Sequence, residues 1–225
     1  MAIRNIRMIG DDILTKKCKV VKEMTEKNKE LIADMFDTMY DADGVGLAAP
    51  QVGILKRIAV IDITEDRSNP IVLINPEIIS ADGEQRGSEG CLSVPDKVGI
   101  VTRPNHVVVK AYNEEMEPFE IEGEELLARA LVHEIEHLDG GLYVNKVEGR
   151  LYTIEEFEKE FGEDAFPAGR DIRRAILSNS GIDKDYEFAV STNIASADMI
   201  YTAAGGTTGK PKDLFPAEPE PETET

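Results

Sequence analysis

The fold of this chain turns on residues 124–138, which read Glu-Glu-Leu-Leu-Ala-Arg-Ala-Leu-Val-His-Glu-Ile-Glu-His-Leu. Apolar residues recur there every three or four positions, as on one face of an amphipathic helix, and Gly140-Gly141 stand where such a helix would end. A helix has about 3.6 residues per turn, so positions four apart lie one above the other. We therefore predict a helix over residues 124–138 that carries the imidazoles of His133 and His137 on one face.

The five residues His133-Glu134-Ile135-Glu136-His137 match the pattern of a metal site with its own general base. Both imidazoles can reach one cation, while Glu134 is turned by about 100° around the helix axis. Its carboxylate would lie beside the cation, within reach of a water bound there. A catalytic zinc or iron site needs three protein ligands and one open position, so another residue must complete the set.

Candidates for that third ligand lie on both sides of the helix. Downstream stand Asp139 and several other acidic residues. Upstream stands Cys91, in the run Glu-Gly-Cys-Leu-Ser-Val-Pro at residues 89–95, where the preceding glycine lets the backbone approach a ligand closely. We predict that Cys91 completes the site with the two histidines.

A third segment, residues 44–51, reads Gly-Val-Gly-Leu-Ala-Ala-Pro-Gln. It lacks the Gly-Lys-Ser/Thr run of a phosphate-binding loop and has no third glycine before a helix. We interpret it as a small-residue loop whose backbone lies close to a substrate and whose Gln51 side chain offers an amide donor.

Together these three segments resemble the signature motifs of the bacterial peptide deformylases. Gly-x-Gly-Leu-Ala-Ala-x-Gln, Glu-Gly-Cys-Leu-Ser and His-Glu-x-x-His all occur here in the family's order, and the resemblance covers about residues 1–150. It implies a metal-dependent hydrolase of protein biosynthesis that acts in N-terminal processing. Such an enzyme removes the formyl group from the N-terminal formyl-methionine of newly synthesised polypeptides and releases formate.

The resemblance also implies a role for each matching residue. Glu134 is expected to act as general base and acid, while Gln51 and the Leu92 backbone N–H stabilise the oxyanion. The backbones of Gly46 and Gly90 are expected to pair with an extended peptide substrate. The implied metal ligands are Cys91, His133 and His137, and the candidates for the apolar pocket that takes the methionine side chain are Val45, Leu126 and Ala130.

The identity of the metal stays open at the level of sequence. The resemblance implies one divalent ion, Fe²⁺ in the cell, with Zn²⁺, Ni²⁺ or Co²⁺ as substitutes, whereas the affinity series of divalent metals favours zinc over ferrous iron. Glu136 departs from the family, which usually has Asp there, and the added methylene puts the local geometry near the site in doubt.

Two alternative functions are compatible with the motif. One is a metallopeptidase of the His-Glu-x-x-His type, which a thiolate ligand disfavours. The other is a metal-dependent binding module without turnover, which the intact Glu134 disfavours because pure ligand capture needs no base beside the water.

Composition bounds the class of protein. With 225 residues and 41% hydrophobic content, the chain can form one good-sized domain plus an appendage. Its formal net charge of −19 argues against a dedicated nucleic-acid surface, and no apolar run approaches the roughly 18 residues of a membrane span. Cys18 is expected to be an inert surface or half-buried thiol, so no disulfide framework is predicted and the expected compartment is a reducing cytoplasm. The expected partners are N-formyl-methionyl nascent peptides, with ribosome contact and oligomeric state left open.

Hydrophobic periodicity predicts an α+β fold. A second helix is expected at residues 26–40, and strands are expected at 57–63, 71–75, 98–101, 106–112 and 119–122. Strands gathered around a helix that carries metal ligands indicate antiparallel sheets around that central helix, with a C-terminal appendage. Arg103 is expected to pair with Glu136 or another acid near the site, and His106 is interpreted as a surface or strand-edge imidazole.

We divide the chain into three parts. Residues 1–150 are predicted to form the deformylase-like catalytic domain, residues 151–204 a short helical or irregular extension, and residues 205–225 a disordered Gly-, Pro- and Glu-rich tail. Within the extension, helices are expected at residues 151–161 and 171–178. The Gly205–Lys212 segment resembles the phosphate loop of acyl-adenylate-forming enzymes, but the rest of that large domain has no room here, so we interpret the similarity as coincidence or a vestige.

Overall fold

Two antiparallel sheets and three α-helices build residues 2–162, the part of the chain that this computed structural model describes. The architecture confirms the α+β fold with antiparallel sheets around a central helix. The predicted helix at 171–178, the predicted tail at 205–225 and the Gly205–Lys212 segment lie outside the described residues.

The larger sheet has five strands in the spatial order β1-β2-β3-β6-β7, and every neighbouring pair is antiparallel. Its strands are β1 (Gly46–Ala48), β2 (Ile58–Ile61), β3 (Ile71–Asp82), β6 (His106–Tyr112) and β7 (Pro118–Glu124). The smaller sheet has the order β4-β5-β8 and consists of β4 (Gln85–Cys91), β5 (Val94–Arg103) and β8 (Glu148–Thr153). Strands β1 and β4 are therefore edge strands of their sheets.

The central helix α2 (Glu125–Leu138) packs against the larger sheet. Leu127, Leu131 and Ile135 are buried with Val107 and Val109 of β6 in one hydrophobic cluster. Burying such a side chain is worth about 1.5–3 kcal/mol, so this contact fixes how the helix is rotated on the sheet. The rotation in turn decides where the histidine face of α2 points.

Helix α1 (Glu26–Asp41) forms a second cluster with strands β1 and β2. The Thr25 hydroxyl accepts a hydrogen bond from the Asn28 backbone N–H at 3.2 Å, which satisfies one of the free donors at the helix start. Leu31, Met35 and Met39 are each 3% exposed or less and form its buried face. The predicted helix at 26–40 is confirmed.

The start of the appendage joins the smaller sheet. Leu151 to Thr153 were predicted to open a helix, but they belong to β8, where Val98 of β5 pairs with Tyr152. Helix α3 (Ile154–Phe161) begins after Thr153, whose hydroxyl accepts from the Glu156 backbone N–H. Its Ile154 and Phe157 pack on β5, so α3 extends the core of the domain.

Sequence patterns missed strands that lack apolar alternation. Strand β4 carries three charged or amide side chains and two glycines, and its order comes from backbone pairing with β5. Strand β1 lies inside the segment predicted as a loop, which also contains a short 3-10 helix at Ala49–Val52. Strand β3 continues past the predicted end at Asn75, and its register is irregular around Pro76, which cannot donate a ladder hydrogen bond.

Cys18 is an inert thiol, as predicted, but the expectation of a surface or half-buried position was wrong. Its side chain is buried at 5% exposure in the cluster beneath α2, and its backbone N–H donates to the Leu138 carbonyl at 2.8 Å. Burial raises the pKa of this thiol to about 11, which keeps it in the protonated, unreactive form. Among the described residues, no helix is both long enough and apolar enough to cross a membrane.

Candidate active site

Three metal-ligating atoms converge between helix α2 and the end of strand β4. The side-chain donors of Cys91, His133 and His137 all lie within 4.8 Å of one another, and all three residues are buried. His137 Nε2 is 3.2 Å from Cys91 Sγ and 3.2 Å from His133 Nε2. One soft thiolate and two imidazole nitrogens facing a common point are a donor set that fits one divalent metal ion.

A buried carboxylate fixes the orientation of His133. Glu89 Oε1 lies 2.7 Å from His133 Nδ1, so Nδ1–H donates to it and Nε2 faces the other two donors. Burial by itself would raise the pKa of Glu89, but hydrogen bonds from His133 and Arg103 hold that pKa well below its usual range. Arg103 donates to both Glu89 oxygens, at 2.5 and 3.0 Å, and Arg129 Nη1 donates to Oε2 at 2.8 Å.

The two histidines have different electrostatic surroundings. Burial opposes a charge on His133, but hydrogen bonds to Cys91 and Glu89 outweigh it and raise the pKa of this imidazole well above its usual value. Burial lowers the pKa of His137, and the neighbouring His133 lowers it further. A metal ion binds only the neutral imidazole, so both histidines must be deprotonated at the ring nitrogen that faces the other donors when the ion binds.

Glu134 is buried beside the three donors without being one of them. Its Oε2 has no hydrogen-bond partner within residues 2–162, and burial raises the pKa of its carboxyl to about 7. A Cβ added at Gly46 would lie 2.8 Å from Glu134 Cδ, so the absent side chain at Gly46 is what gives this carboxylate room. A carboxyl that titrates near neutral pH suits a group that takes and returns a proton.

Gln51 reaches the site from the short 3-10 helix after β1. Its Oε1 accepts from the Ala48 backbone N–H at 2.8 Å, which orients the amide. Its Nε2 then points toward Ser93 Oγ at 3.1 Å and Cys91 Sγ at 3.6 Å. The predicted amide donor thus lies directly beside the predicted sulfur ligand.

A cavity opens beside these groups between the edge strands β1 and β4. Its lining includes every residue that was predicted to contact substrate. Those residues are Val45, Gly46, Gly90, Leu92, Leu126 and Ala130. An extended peptide can add to such an edge through its backbone and place its side chains in adjacent pockets.

Comparison with known proteins agrees with this geometry. The sequence model described as polypeptide deformylase matches residues 3–151. The chain belongs to the polypeptide deformylase family. It is 64% identical to the peptide deformylase of Lachnoclostridium phytofermentans over 160 aligned residues. These residues make up 71% of this chain and 98% of the relative. It is 62% identical over 154 residues to the enzyme of Agathobacter rectalis, over 68% of this chain and 96% of the relative.

Solved deformylase structures share the fold. The crystal structure of a peptide deformylase from Legionella pneumophila matches with a TM-score of 0.64 and 51% identity, covering 65% of this chain and 87% of the other. That from Synechococcus elongatus, in complex with actinonin, matches with a TM-score of 0.63 and 41% identity, covering 72% of this chain and 88% of the other. This chain is accordingly a metal-binding hydrolase with peptide deformylase activity and a Cys-His-His metal site.

Some residues of this deformylase site were not predicted. Glu89 and Arg129 received no role from the sequence, although each lies on the same face of its element as a ligand. Glu89 is two residues before Cys91 on a strand, and Arg129 is four residues before His133 on a helix. That spacing was the available signal. Ser93, the acceptor for Gln51, was also missed.

The structure also places three further residues that the sequence analysis singled out. Arg103 Nη1 lies 2.7 Å from Glu136 Oε1, which confirms the predicted pairing. Asp139, the alternative third ligand, instead pairs with Arg57 at 2.7 Å and is not among the converging donors. His106, predicted to be a surface or strand-edge imidazole, opens β6, which is an inner strand of the larger sheet. Its side chain is 21% exposed, and its ring lies between the exposed carboxylates of Asp82 and Glu122.

Proposed function

We propose that Cys91, His133 and His137 hold one divalent ion, Fe²⁺ in the cell, with Zn²⁺, Ni²⁺ or Co²⁺ able to replace it. The convergence of one sulfur and two nitrogens within 4.8 Å is the observation that carries this proposal. When bound, such an ion lowers the pKa of water and polarises a carbonyl oxygen. The remaining chemistry belongs to the side chains around it.

Glu134 acts as general base and then as general acid. Its carboxylate takes a proton from the attacking water and passes that proton to the departing amine, which leaves formate and a free N-terminal methionine. Two observations support this role: Glu134 Oε2 has no hydrogen-bond partner among the described residues, and a pKa of about 7 lets the group hold a proton between the two steps at neutral pH.

Gln51 and the Leu92 backbone N–H stabilise the negative charge that develops on the formyl oxygen. The Gln51 amide has two N–H bonds: one donates to Ser93 Oγ at 3.1 Å and the other faces Cys91 Sγ at 3.6 Å, so the formyl oxygen would take its donor from the longer and weaker contact to the sulfur. In comparable oxyanion sites, one such donor is worth about 3 kcal/mol of transition-state stabilisation.

The substrate is the N-formyl-methionyl end of a nascent polypeptide. Backbone groups of Gly46 and Gly90 pair with the extended peptide, and Val45, Leu126 and Ala130 surround the methionine side chain. Their shared position along the cavity between β1 and β4 supports these assignments. Nascent chains emerge in the cytoplasm, so we place the enzyme there, with ribosome contact as part of its encounter with substrate.

Residues 1–150 form the deformylase domain in this proposal, residues 151–204 an extension and residues 205–225 a tail. The family match over residues 3–151 supports the first boundary. The packing of α3 on β5 supports grouping the first part of the extension, up to Phe161, with that domain.

The experiment that tests the metal assignment is metal analysis of anaerobically purified protein alongside release of formate from a formyl-methionyl peptide. We expect stoichiometric iron and rapid formate release, with both lost on chelation and activity restored by Fe²⁺, Ni²⁺ or Co²⁺. Zinc as the only bound metal in fully active, anaerobically purified protein would contradict the assignment of iron. Cleavage of an internal peptide bond instead of formate release would contradict the substrate assignment.

A further inference from the structure

A series of alternating charges runs from the protein surface to His133. Lys146 Nζ contacts Glu136 Oε1, and Arg103 Nη1 lies 2.7 Å from the same oxygen. Arg103 then binds both oxygens of Glu89, whose Oε1 lies 2.7 Å from His133 Nδ1. The exposed fraction falls from 54% for the Lys146 side chain to 19% for Glu136 and 1% for Arg103.

Arg103 divides its guanidinium between two carboxylates. Its Nε and Nη2 face Glu89, and its Nη1 faces Glu136. In a poorly hydrated region, the attraction between opposite charges is many times stronger than in water. Without a second cation beside it, the Glu136 carboxylate would therefore compete with Glu89 for the Arg103 guanidinium. Lys146 supplies the second cation to Glu136 and removes that competition.

We propose that Lys146 is a positioning residue for the metal site, because it neutralises Glu136 and leaves Arg103 to hold Glu89 against His133. The proposal rests on the ligand set proposed above, since Lys146 reaches the reaction only through the orientation of His133. Glu136 stands where the family resemblance leads one to expect Asp, and the link from Lys146 to Arg103 passes through this residue.

The expected loss on removing Lys146 depends on how many residues separate it from the metal ligand His133. Removing a group that directly orients a metal ligand commonly costs 10- to 100-fold in metal affinity or activity. Lys146 acts through two further residues and is half-exposed, so we expect a smaller loss, about three- to tenfold. Lys146 is absent from the lining of the substrate cavity, so the Michaelis constant should not change.

The test compares Lys146→Gln, Lys146→Arg and the control Lys29→Gln in the full chain. Lys29 is similarly exposed, at 52%, and pairs with Glu26 at the start of α1, far from the metal ligands in the fold. Zinc affinity is measured by competition with a chelator, and kcat and KM are measured from formate release. Lys146→Gln should weaken zinc binding and lower kcat about three- to tenfold with KM unchanged, and Lys146→Arg should restore most of the loss.

A double variant separates positioning from general stability. Once Glu136→Gln has removed the carboxylate, adding Lys146→Gln should produce little further loss, because no charge competes for Arg103. Fully additive losses would overturn the proposal, as would a Lys146→Gln protein that matches Lys29→Gln in zinc affinity and kcat while only its melting temperature falls. The unsubstituted protein is measured first, and its failure to bind zinc or release formate would overturn the ligand set and this proposal together.

Discussion

At the scale of single residues, the site is a group of charges kept out of water. Glu89, Arg103, Arg129 and Glu134 are each 4% exposed or less. Taking an ion out of water costs several kcal/mol unless partners compensate for it, so a buried cluster of this kind is weak evidence for stability and stronger evidence for function. Here the first three groups compensate one another and orient His133, while Glu134 is left to titrate.

Cys91 is the residue whose loss should empty the metal site. In Cys91→Ser a hydroxyl replaces the thiolate and is a far poorer donor for a borderline-soft cation, so we expect the bound metal and formate release both to be lost. Cys18→Ala is the matched control, because Cys18 is equally buried but lies outside the donor group. Metal content of both purified variants is the measurement, and full occupancy with normal activity in Cys91→Ser would remove Cys91 from the ligand set.

Gly46 tests the space that Glu134 requires. The Cβ of Gly46→Ala would lie 2.8 Å from Glu134 Cδ, closer than carbon atoms approach without displacement. We expect formate release to fall at least tenfold, since misplacing a catalytic group by about 1 Å can cost about 100-fold. Metal content should stay unchanged, because the three atoms nearest the added methyl group all belong to Glu134, which is not one of the three converging donors. An alanine variant with normal kcat and KM would show that Glu134 has more freedom than its packing implies.

The residues of the site that could be predicted are those whose relation is visible within a short stretch of sequence. The pairing of His133 with His137 follows from helix geometry alone, so it is visible in five consecutive residues. The role of Glu89 depends on contacts between β4 and α2, so its spacing from Cys91 indicates only a shared strand face and does not reveal the partners His133 and Arg129. For the same reason, the sequence does not show that Gly46 leaves room for Glu134, because this depends on the packing of β1 against α2.

At the scale of elements, long periodic patterns were predicted well and short polar ones were not. Helices α1 and α2 bury continuous apolar faces, and their observed bounds lie within one residue of the predicted ones. Strands β1 and β4 have no alternation to reveal them, because their order comes from hydrogen bonds to β2 and β5. These are also the edge strands that frame the cavity, so the elements hardest to predict are those next to the substrate.

His106 links three strands of the larger sheet through a titratable contact. It opens β6, and its ring nitrogens lie 2.8 Å from Asp82 Oδ2 of β3 and 2.6 Å from Glu122 Oε1 of β7. Hydrogen bonds to these two carboxylates raise the pKa of the imidazole above its usual value. The protonated ring is thus favoured in the folded state, so its contribution to stability is present below the unfolded pKa of about 6.5 and is lost as pH rises through the folded pKa.

Titration of the His106 ring by NMR checks this prediction. The pKa should lie above about 6.5 in the unsubstituted protein and should move back toward that value in the Asp82→Asn/Glu122→Gln double variant. Formate release should not change, because none of the three residues lines the cavity. A pKa at or below the ordinary value in the unsubstituted protein would contradict the electrostatic reading of this contact.

At the scale of the whole molecule, deformylation should not need residues 166–225. The converging donors, Glu134 and the cavity lining all lie between residues 44 and 137, and the last described helix ends at Phe161. A truncated chain that ends at residue 165 should therefore keep its formate release and its melting temperature. A soluble, metal-loaded truncation without activity would show that the removed segment shapes the site, and ATP binding by the full chain alone would assign a function to the Gly205–Lys212 segment.

A shorter truncation provides the contrast. Ending the chain before Tyr152 removes the β8 pairing with β5 and the buried side chains of Ile154 and Phe157. Losing large buried side chains typically costs several kcal/mol of stability, so this variant should melt at a distinctly lower temperature. Equal melting temperatures for the two truncations would show that α3 contributes nothing to the fold.

The central claim is that Glu134 moves the proton in a reaction that the Cys-His-His site supports. The most direct test measures formate release from a short formyl-methionyl peptide by the unsubstituted chain and by Glu134→Gln at equal, measured metal content. The amide can still hydrogen-bond to water but cannot accept its proton, so the rate should fall by about two to four orders of magnitude while metal occupancy and melting temperature stay unchanged. Near-normal formate release by the metal-loaded Glu134→Gln protein would contradict the account.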